Sequence, residues 1–158
     1  MTLERTLAAD GGDPAPGTRA AREADLPALK EIARTAHRDT RFYQDGGFPA
    51  QRCDELYETW IEKSVRGWAQ SVRVAERDGR AVGYLSCHLD APGVGRIGLV
   101  GVAASCRGEG VGRVLLADAL RWFAAPGATR VSVATQGRNV AAIRLYERAG
   151  FLTRAIEP

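Results

Sequence analysis

Residues Arg96 to Leu116 read RIGLVGVAASCRGEGVGRVLL, an apolar, glycine-punctuated strand followed by a short loop that opens a helix. A loop of this kind suits a pyrophosphate. Its glycines let the backbone approach a ligand closely, and the first N–H groups of a helix point at an anion. Arg107 and Arg113 bracket Gly108, Gly110, Val111 and Gly112 and add charge-assisted donors. Two other phosphate loops do not fit. The glycines run G-x-G-x-G rather than G-x-G-x-x-G, and the segment Arg130 to Thr135 has no acid for a ribose. A Walker loop needs Gly-Lys-Ser/Thr, and the chain's two lysines, Lys30 and Lys63, lie away from its glycine runs.

The elements that must position this loop follow from periodicity. Thr18 to Arg22 suits a short first strand. Asp25 and Pro27 open a helix with Leu26, Leu29, Ile32, Ala33 and Ala36 at helical spacing. A polar and aromatic loop, His37 to Ala50, leads to a helix over Gln51 to Trp68. Its apolar stripe is Leu56, Tyr57, Trp60, Ile61, Val65 and Trp68, and Glu58, Glu62 and Arg66 form a charged face. Val72 to Ala75 and Ala81 to Leu89 predict a hairpin about Asp78-Gly79. The strand Ile97 to Val102 follows, with Gly101 placed for a bulge or a close approach. The loop helix is expected to turn Val111, Leu115, Ala119 and Trp122 inward and Arg113, Asp118 and Arg121 outward. A strand at Arg130 to Thr135 and a helix at Asn139 to Ala149, stopped by Gly150, complete a strand-helix-strand unit that predicts two parallel neighbours.

The pattern Arg107-x-x-Gly110-x-Gly112 between strand and helix resembles the acetyl-CoA loop of the GNAT N-acetyltransferases. The later segment VSVATQGRNVAAIRLYERAGF matches that family's second motif at Asn139, Tyr146, Gly150 and Phe151. Four segments, DTRFYQD, LYETWIEKSVRG, GRIGLVGV and VATQGRN, narrow the resemblance to the dTDP-fucosamine acetyltransferases, over roughly residues 18 to 154. The longer members of that group carry a further N-terminal subdomain. Their last strand usually runs on to an aromatic end, where this chain reads Ala155-Ile156-Glu157-Pro158.

The resemblance implies an α/β fold, a single mixed sheet with a splayed parallel strand pair flanked by helices. It implies direct acetyl transfer from acetyl-CoA to the amine of a nucleotide-linked 4-amino-4,6-dideoxy sugar. Leu99, Val100 and Val102 would then offer backbone to the pantetheine arm, and residues 107 to 113 would hold the pyrophosphate. Asn139 would contact pantetheine, and Tyr146 would protonate the departing sulfur. Asn139, Ile143 and Tyr146 share one helix face, with amide and phenol roughly 10 Å apart along the axis at ~1.5 Å per residue. Helix capping for Asn139 and ordinary core packing for Tyr146 remain open beside those roles. His37 and Asp39 begin the loop expected over the acceptor and form the preferred pair for removing the amine proton, with water as an alternative relay. His88, near the end of a strand, either faces the cleft or is a satisfied structural histidine. Glu58 and Glu62 fit a solvated face, and Cys106, with no activating base beside it, reads as packing. Another amine acceptor, or an acyl-CoA-binding module without turnover, stays open.

Composition bounds the rest. At 158 residues the chain suits one domain, and 45% hydrophobic with 26% charged residues is ordinary for a globular protein. Residues 1 to 17, rich in Ala, Asp, Gly and Pro, read as a disordered leader before a domain over 18 to 158. A net charge of +3 with scattered arginines indicates no nucleic-acid footprint. Three separated cysteines and two histidines indicate no metal quartet, and reduced thiols with a cytoplasmic location follow as the default. No run reaches membrane-spanning length. The partners expected are a small-molecule amine, with a homodimer as one way to close its pocket.

Overall fold

In the computed structural model, which describes residues 1–8, 16–37, 46–47 and 49–156, seven strands build one mixed sheet. They are β1 (Thr2–Thr6), β2 (Thr18–Ala20), β3 (Ser71–Arg77), β4 (Arg80–Ala91), β5 (Val94–Val102), β6 (Arg130–Ala134) and β7 (Leu152–Ala155). Their spatial order is β2-β3-β4-β5-β6-β1-β7. Only β5 and β6 run parallel, as the strand-helix-strand unit predicts, and the other ladders are antiparallel. The helices are α1 (Leu26–Ala36), α2 (Ala50–Lys63), α3 (Val111–Ala124) and α4 (Val140–Arg148).

Alternation along the strands divides the core between the two faces of the sheet. Val72, Val74 and Tyr84 pack with Leu29, Ile32, Tyr57 and Ile61 of α1 and α2. Ala75, Leu85 and Ile97 turn the other way, against Leu115, Ala119 and Phe123 of α3 and Tyr146 of α4. The β3–β4 hairpin turns at Asp78 and Gly79, whose φ angles of 52° and 76° are those of a tight hairpin turn.

The structure corrects four expectations. The first is the leader: Thr2–Thr6 is a strand, paired on one side with β6 and on the other with β7, and its Leu3 has no exposed surface. A five-residue segment with one apolar side chain has little strand signal of its own. Two flanking strands satisfy both of its backbone edges, and this tertiary setting decides. Secondly, Asp118 faces inward on α3, where Arg73 of β3 binds it at 2.6 Å. Thirdly, Phe123 rather than Trp122 is the fully buried aromatic of α3. Finally, the regular part of α2 ends at Lys63, and a π-turn over Ser64–Trp68 with Gly67 at a φ of 118° breaks the helical spacing, so Trp68 leaves the apolar stripe and is exposed.

Candidate active site

The β5–β6 ladder runs from Val94–Arg130 to Ile97–Val133 and stops, although β5 continues to Val102. The cause lies on the other side of β5. Between the pairs Leu85–Val100 and Cys87–Ile97, one β4 residue, Ser86, faces two on β5, Gly98 and Leu99. This is a β-bulge, which bends the strand away from β6. Ser86 Oγ replaces the missing ladder partner by accepting the Leu99 N–H at 2.7 Å. An added Cβ at Gly98 would lie 2.6 Å from Ser86 Oγ and 2.7 Å from His88 Nε2, so only glycine fits. The bulge therefore falls at Gly98–Leu99 and not at Gly101, whose missing side chain makes room for the Tyr84 ring, 2.8 Å from an added Cβ. His88 sits buried under the bulge, edge-on to Trp68 at 5.1 Å, and is not part of the cleft wall.

The gap opens a cleft of about 430 Å³ that reaches both helical layers. Leu99 and Val100 line it from β5, and Asn139 and Tyr146 line it from α4. His37, at the end of α1, lines it from the opposite side of the sheet. Val102 packs against the core instead. The expected site residues from three distant parts of the chain thus meet at one place, at the carboxyl ends of the two parallel strands. Asp39 lies outside the described residues, as does the rest of the segment from 38 to 45. Tyr57 and Trp60 of α2 also line the cleft, although their place in an apolar helix stripe marks them only as core. Met1, just before β1, lines the cleft as well, and like β1 it carries no sequence signal of its own.

Each chemical group has a distinct setting. Tyr146 is 4% exposed, and burial pushes its phenol up to about 12, so it stays protonated near neutrality. Asn139 caps α4, its Oδ1 accepting the Ala142 N–H at 3.2 Å. His37 stacks on Tyr57 at 4.3 Å, and its Nε2 shares a 2.7 Å hydrogen bond with Tyr84 Oη. Burial, with a smaller contribution from the Arg107 charge, pushes the His37 imidazole down to about 4. A histidine depressed below its unfolded value near 6.5 stabilises the fold fully above about pH 6.5. That stability is lost as pH falls from there toward 4. We expect His37→Gln to flatten the stability profile in this window. An unaltered slope in denaturant unfolding from pH 4 to 7 would refute the burial of a neutral imidazole.

The loop from Arg107 to Arg113 lies beside the cleft and does not line it. Gly110 begins α3 at a φ of 84°, and no side chain caps that helix. Added Cβ atoms at Gly108 and Gly110 meet nothing within 4 Å, whereas one at Gly112 would lie 3.3 Å from Leu145 Cδ2. The loop is thus open outward and tight against α4, with uncapped N–H groups that an anion can occupy. Val111 is buried and anchors the turn. Arg107 donates to the Thr35 carbonyl at 3.0 Å, linking loop and α1, and Arg113 is exposed. Glu58 pairs with Arg34, and Glu62 with Lys30 and Arg66, so these acids serve the α1–α2 surface and not the cleft. Cys106 packs, partly buried, against the core. Among the described residues there is no acidic, histidine or cysteine cluster able to hold a metal, and no helix long and apolar enough to cross a membrane.

Comparison with known proteins agrees with this geometry. A dTDP-fucosamine acetyltransferase from Escherichia coli O6:H1 is 35% identical over 136 residues, 85% of this chain and 58% of that protein. A mycothiol acetyltransferase from Mycobacterium avium is 28% identical over 170 residues, 99% of this chain and 54% of that protein. The chain therefore spans about half the length of these curated relatives. The crystal structure of a ribosomal-protein-alanine N-acetyltransferase from Brucella melitensis superposes with a TM-score of 0.61 at 32% identity, over 84% of this chain and 82% of that one. The acetyltransferase (GNAT) family model matches residues 26–151, which hold the split strand pair, the glycine loop and the Asn139–Tyr146 helix, and the chain belongs to that family.

Proposed function

We propose that this chain is an acetyl-CoA-dependent N-acetyltransferase whose acceptor is the amine of a nucleotide-linked 4-amino-4,6-dideoxy sugar. The observation that carries the reaction is the cleft at the broken β5–β6 ladder, with Tyr146 and Asn139 on one wall and His37 on the other. The dTDP-fucosamine acetyltransferase relative supports the sugar.

Acetyl-CoA, when bound, supplies a thioester carbonyl for attack by the amine. The uncapped start of α3, with Arg107 and Arg113, is suited to hold the pyrophosphate. The edge of β5 beyond Ile97, including Leu99, Val100 and Val102, is free of β6 and suits the pantetheine amides as an added strand would. The Leu99 N–H is already used by Ser86, so the groups offered there are the remaining backbone donors and acceptors. Asn139 presents its amide beside that path while capping α4. The Tyr146 phenol holds its proton at neutral pH and can pass it to the departing sulfur. An imidazole pushed down to about 4 is poorly matched to deprotonating an ammonium near pH 7. We therefore assign His37 a hydrogen-bonding role toward the acceptor, and Asp39 or water the amine proton.

The relatives also support a second reading, the same chemistry on another amine, including a protein N-terminus. Thiol release from acetyl-CoA separates them, measured against nucleotide-linked 4-amino and 3-amino sugars, simple amines and an alanine-initiated peptide. We expect release with the 4-amino nucleotide sugar. Release only with another acceptor would retain the chemistry and replace the substrate. Coenzyme binding without release under any acceptor would leave an acyl-CoA-binding module.

A further inference from the structure

The first strand of the chain is inserted between the strands that precede and follow α4, the helix that carries Tyr146. With Met1 just before it, the strand touches that β6–α4–β7 unit along both edges and at three further points. On one edge β1 pairs with β6 from Thr2–Ala134 to Thr6–Arg130, and on the other with β7 at Leu3–Thr153 and Glu4–Leu152. The Leu3 side chain is fully buried in the cluster that contains Val131, Val133, Tyr146 and Phe151. The Met1 carbonyl accepts the Thr135 N–H at 3.0 Å, at the start of the segment leading into α4. At the far end of the helix, Arg5 Nη1 donates to the Ala149 carbonyl at 2.7 Å.

That last contact is placed where it can act on Tyr146. Ala149 is the residue at which α4 ends, and its own N–H is shared between the carbonyls of Leu145 and Tyr146. The Phe151 N–H returns to the Tyr146 carbonyl at 3.0 Å, and the Phe151 ring lies 5.6 Å from the Tyr146 ring. The Arg5 side chain also covers Gly150, at 3.7 Å from an added Cβ. A guanidinium at a helix C-terminus satisfies a carbonyl that has no partner within the helix and opposes the negative end of the helix dipole. The residues that end α4 and the backbone of Tyr146 are one hydrogen-bonded unit, and Arg5 closes it from outside.

We propose that Arg5 is a positioning residue for acyl transfer, holding the C-terminal end of α4 and through it the Tyr146 phenol at the cleft. The inference rests on the proposed role of Tyr146 as proton donor. A displacement on the order of 1 Å at a reacting group is enough to cost about 10²-fold in rate, so loss of a clamp of this kind is visible in kcat.

The test is a double-mutant cycle on the full chain, reading kcat for thiol release, the KM for acetyl-CoA and thermal stability. Arg5→Ala is expected to lower kcat about 10-fold, with the KM for acetyl-CoA within about 2-fold. Arg5→Lys, which keeps the charge and can still reach a carbonyl, should recover most of that loss. In a Tyr146→Phe background the same Arg5→Ala change should lower kcat by less than about 2-fold, because residues acting through one another are not additive. Amide exchange at Ala149 and Phe151 should speed up in Arg5→Ala whatever the acceptor. An unchanged kcat in Arg5→Ala, or a full multiplicative loss in the double variant, overturns the inference. A silent Tyr146→Phe removes the proposed proton donor and this inference with it. A slow Tyr146→Phe combined with independent Arg5 effects removes only the inference.

Discussion

Tyr146→Phe is expected to lower kcat by about 10²–10⁴-fold, the range for loss of a positioned proton-transfer group, while acetyl-CoA binds as before. The substitution is a clean probe of the hydroxyl. The ring is buried, packs against Phe151 and lies in the α3–α4 core, and phenylalanine keeps all of those contacts. Burial pushes the phenol to about 12, so the proton is in place throughout the neutral range. The wild-type kcat should accordingly show no alkaline loss from this group below about pH 10. Steady-state kinetics with the best acceptor, together with acetyl-CoA titration by calorimetry, separate the two effects. A variant with normal kcat would take Tyr146 out of the chemistry and leave it as a core aromatic.

The largest expected loss of stability follows from Asp118→Ala. The Asp118 carboxylate has no exposed side-chain surface and is held by Arg73 at 2.6 Å and Arg121 at 2.9 Å. Arg73 is itself nearly buried, so removing the acid leaves a cation beneath α3 with no counter-charge. Breaking a buried pair from one side costs about 3–5 kcal/mol, which for a chain of this size lowers Tm by roughly 6–20 °C. Replacing both partners by apolar residues of similar volume should recover most of it, because the cost lies in the unpaired charge. Burial alone would raise the Asp118 pKa, but the hydrogen bonds from Arg73 and Arg121 outweigh it and hold the carboxyl below the usual range. The stability it contributes is therefore present above the unfolded value near 3.9 and is lost as pH falls below it. Calorimetry of the single and paired variants reads both expectations, and a single variant within about 1 kcal/mol of wild type would contradict the buried pair.

The glycine turn and the Asn139–Tyr146 helix face are legible where local backbone chemistry specifies them. Gly108 and Gly110 occupy conformations that favour glycine, and Asn139 and Tyr146 are set on one face by helical geometry. Those signals need only neighbours in the chain. Gly101 marks the right strand for a bulge or a close approach but lies three residues beyond the bulge itself, since Gly98 and Gly101 look alike until Ser86 and Tyr84 arrive from β4. The same limit explains Asp118. A carboxylate in the helix reads as solvent-facing, and only the distant Arg73 makes its burial tolerable. Tyr57 and Trp60 border the cleft, which an apolar stripe does not reveal, because its spacing is the same for members that meet a cavity and members that fill the core.

By itself the sequence determined the order of elements from β2 to α4, the parallel pair across α3, the glycine turn at its start and the capped helix bearing Tyr146. Each depends on residue spacing within one strand, loop or helix. Tertiary structure alone decided that Thr2–Thr6 fills the slot between β6 and β7, that β5 parts from β6 after Ile97, and that His37 meets Tyr146 across the opening. The physical reason is common to all three. Backbone edges and cavity walls are completed by whichever segment the fold brings near, and a partner that lies outside a segment leaves no periodic trace within it.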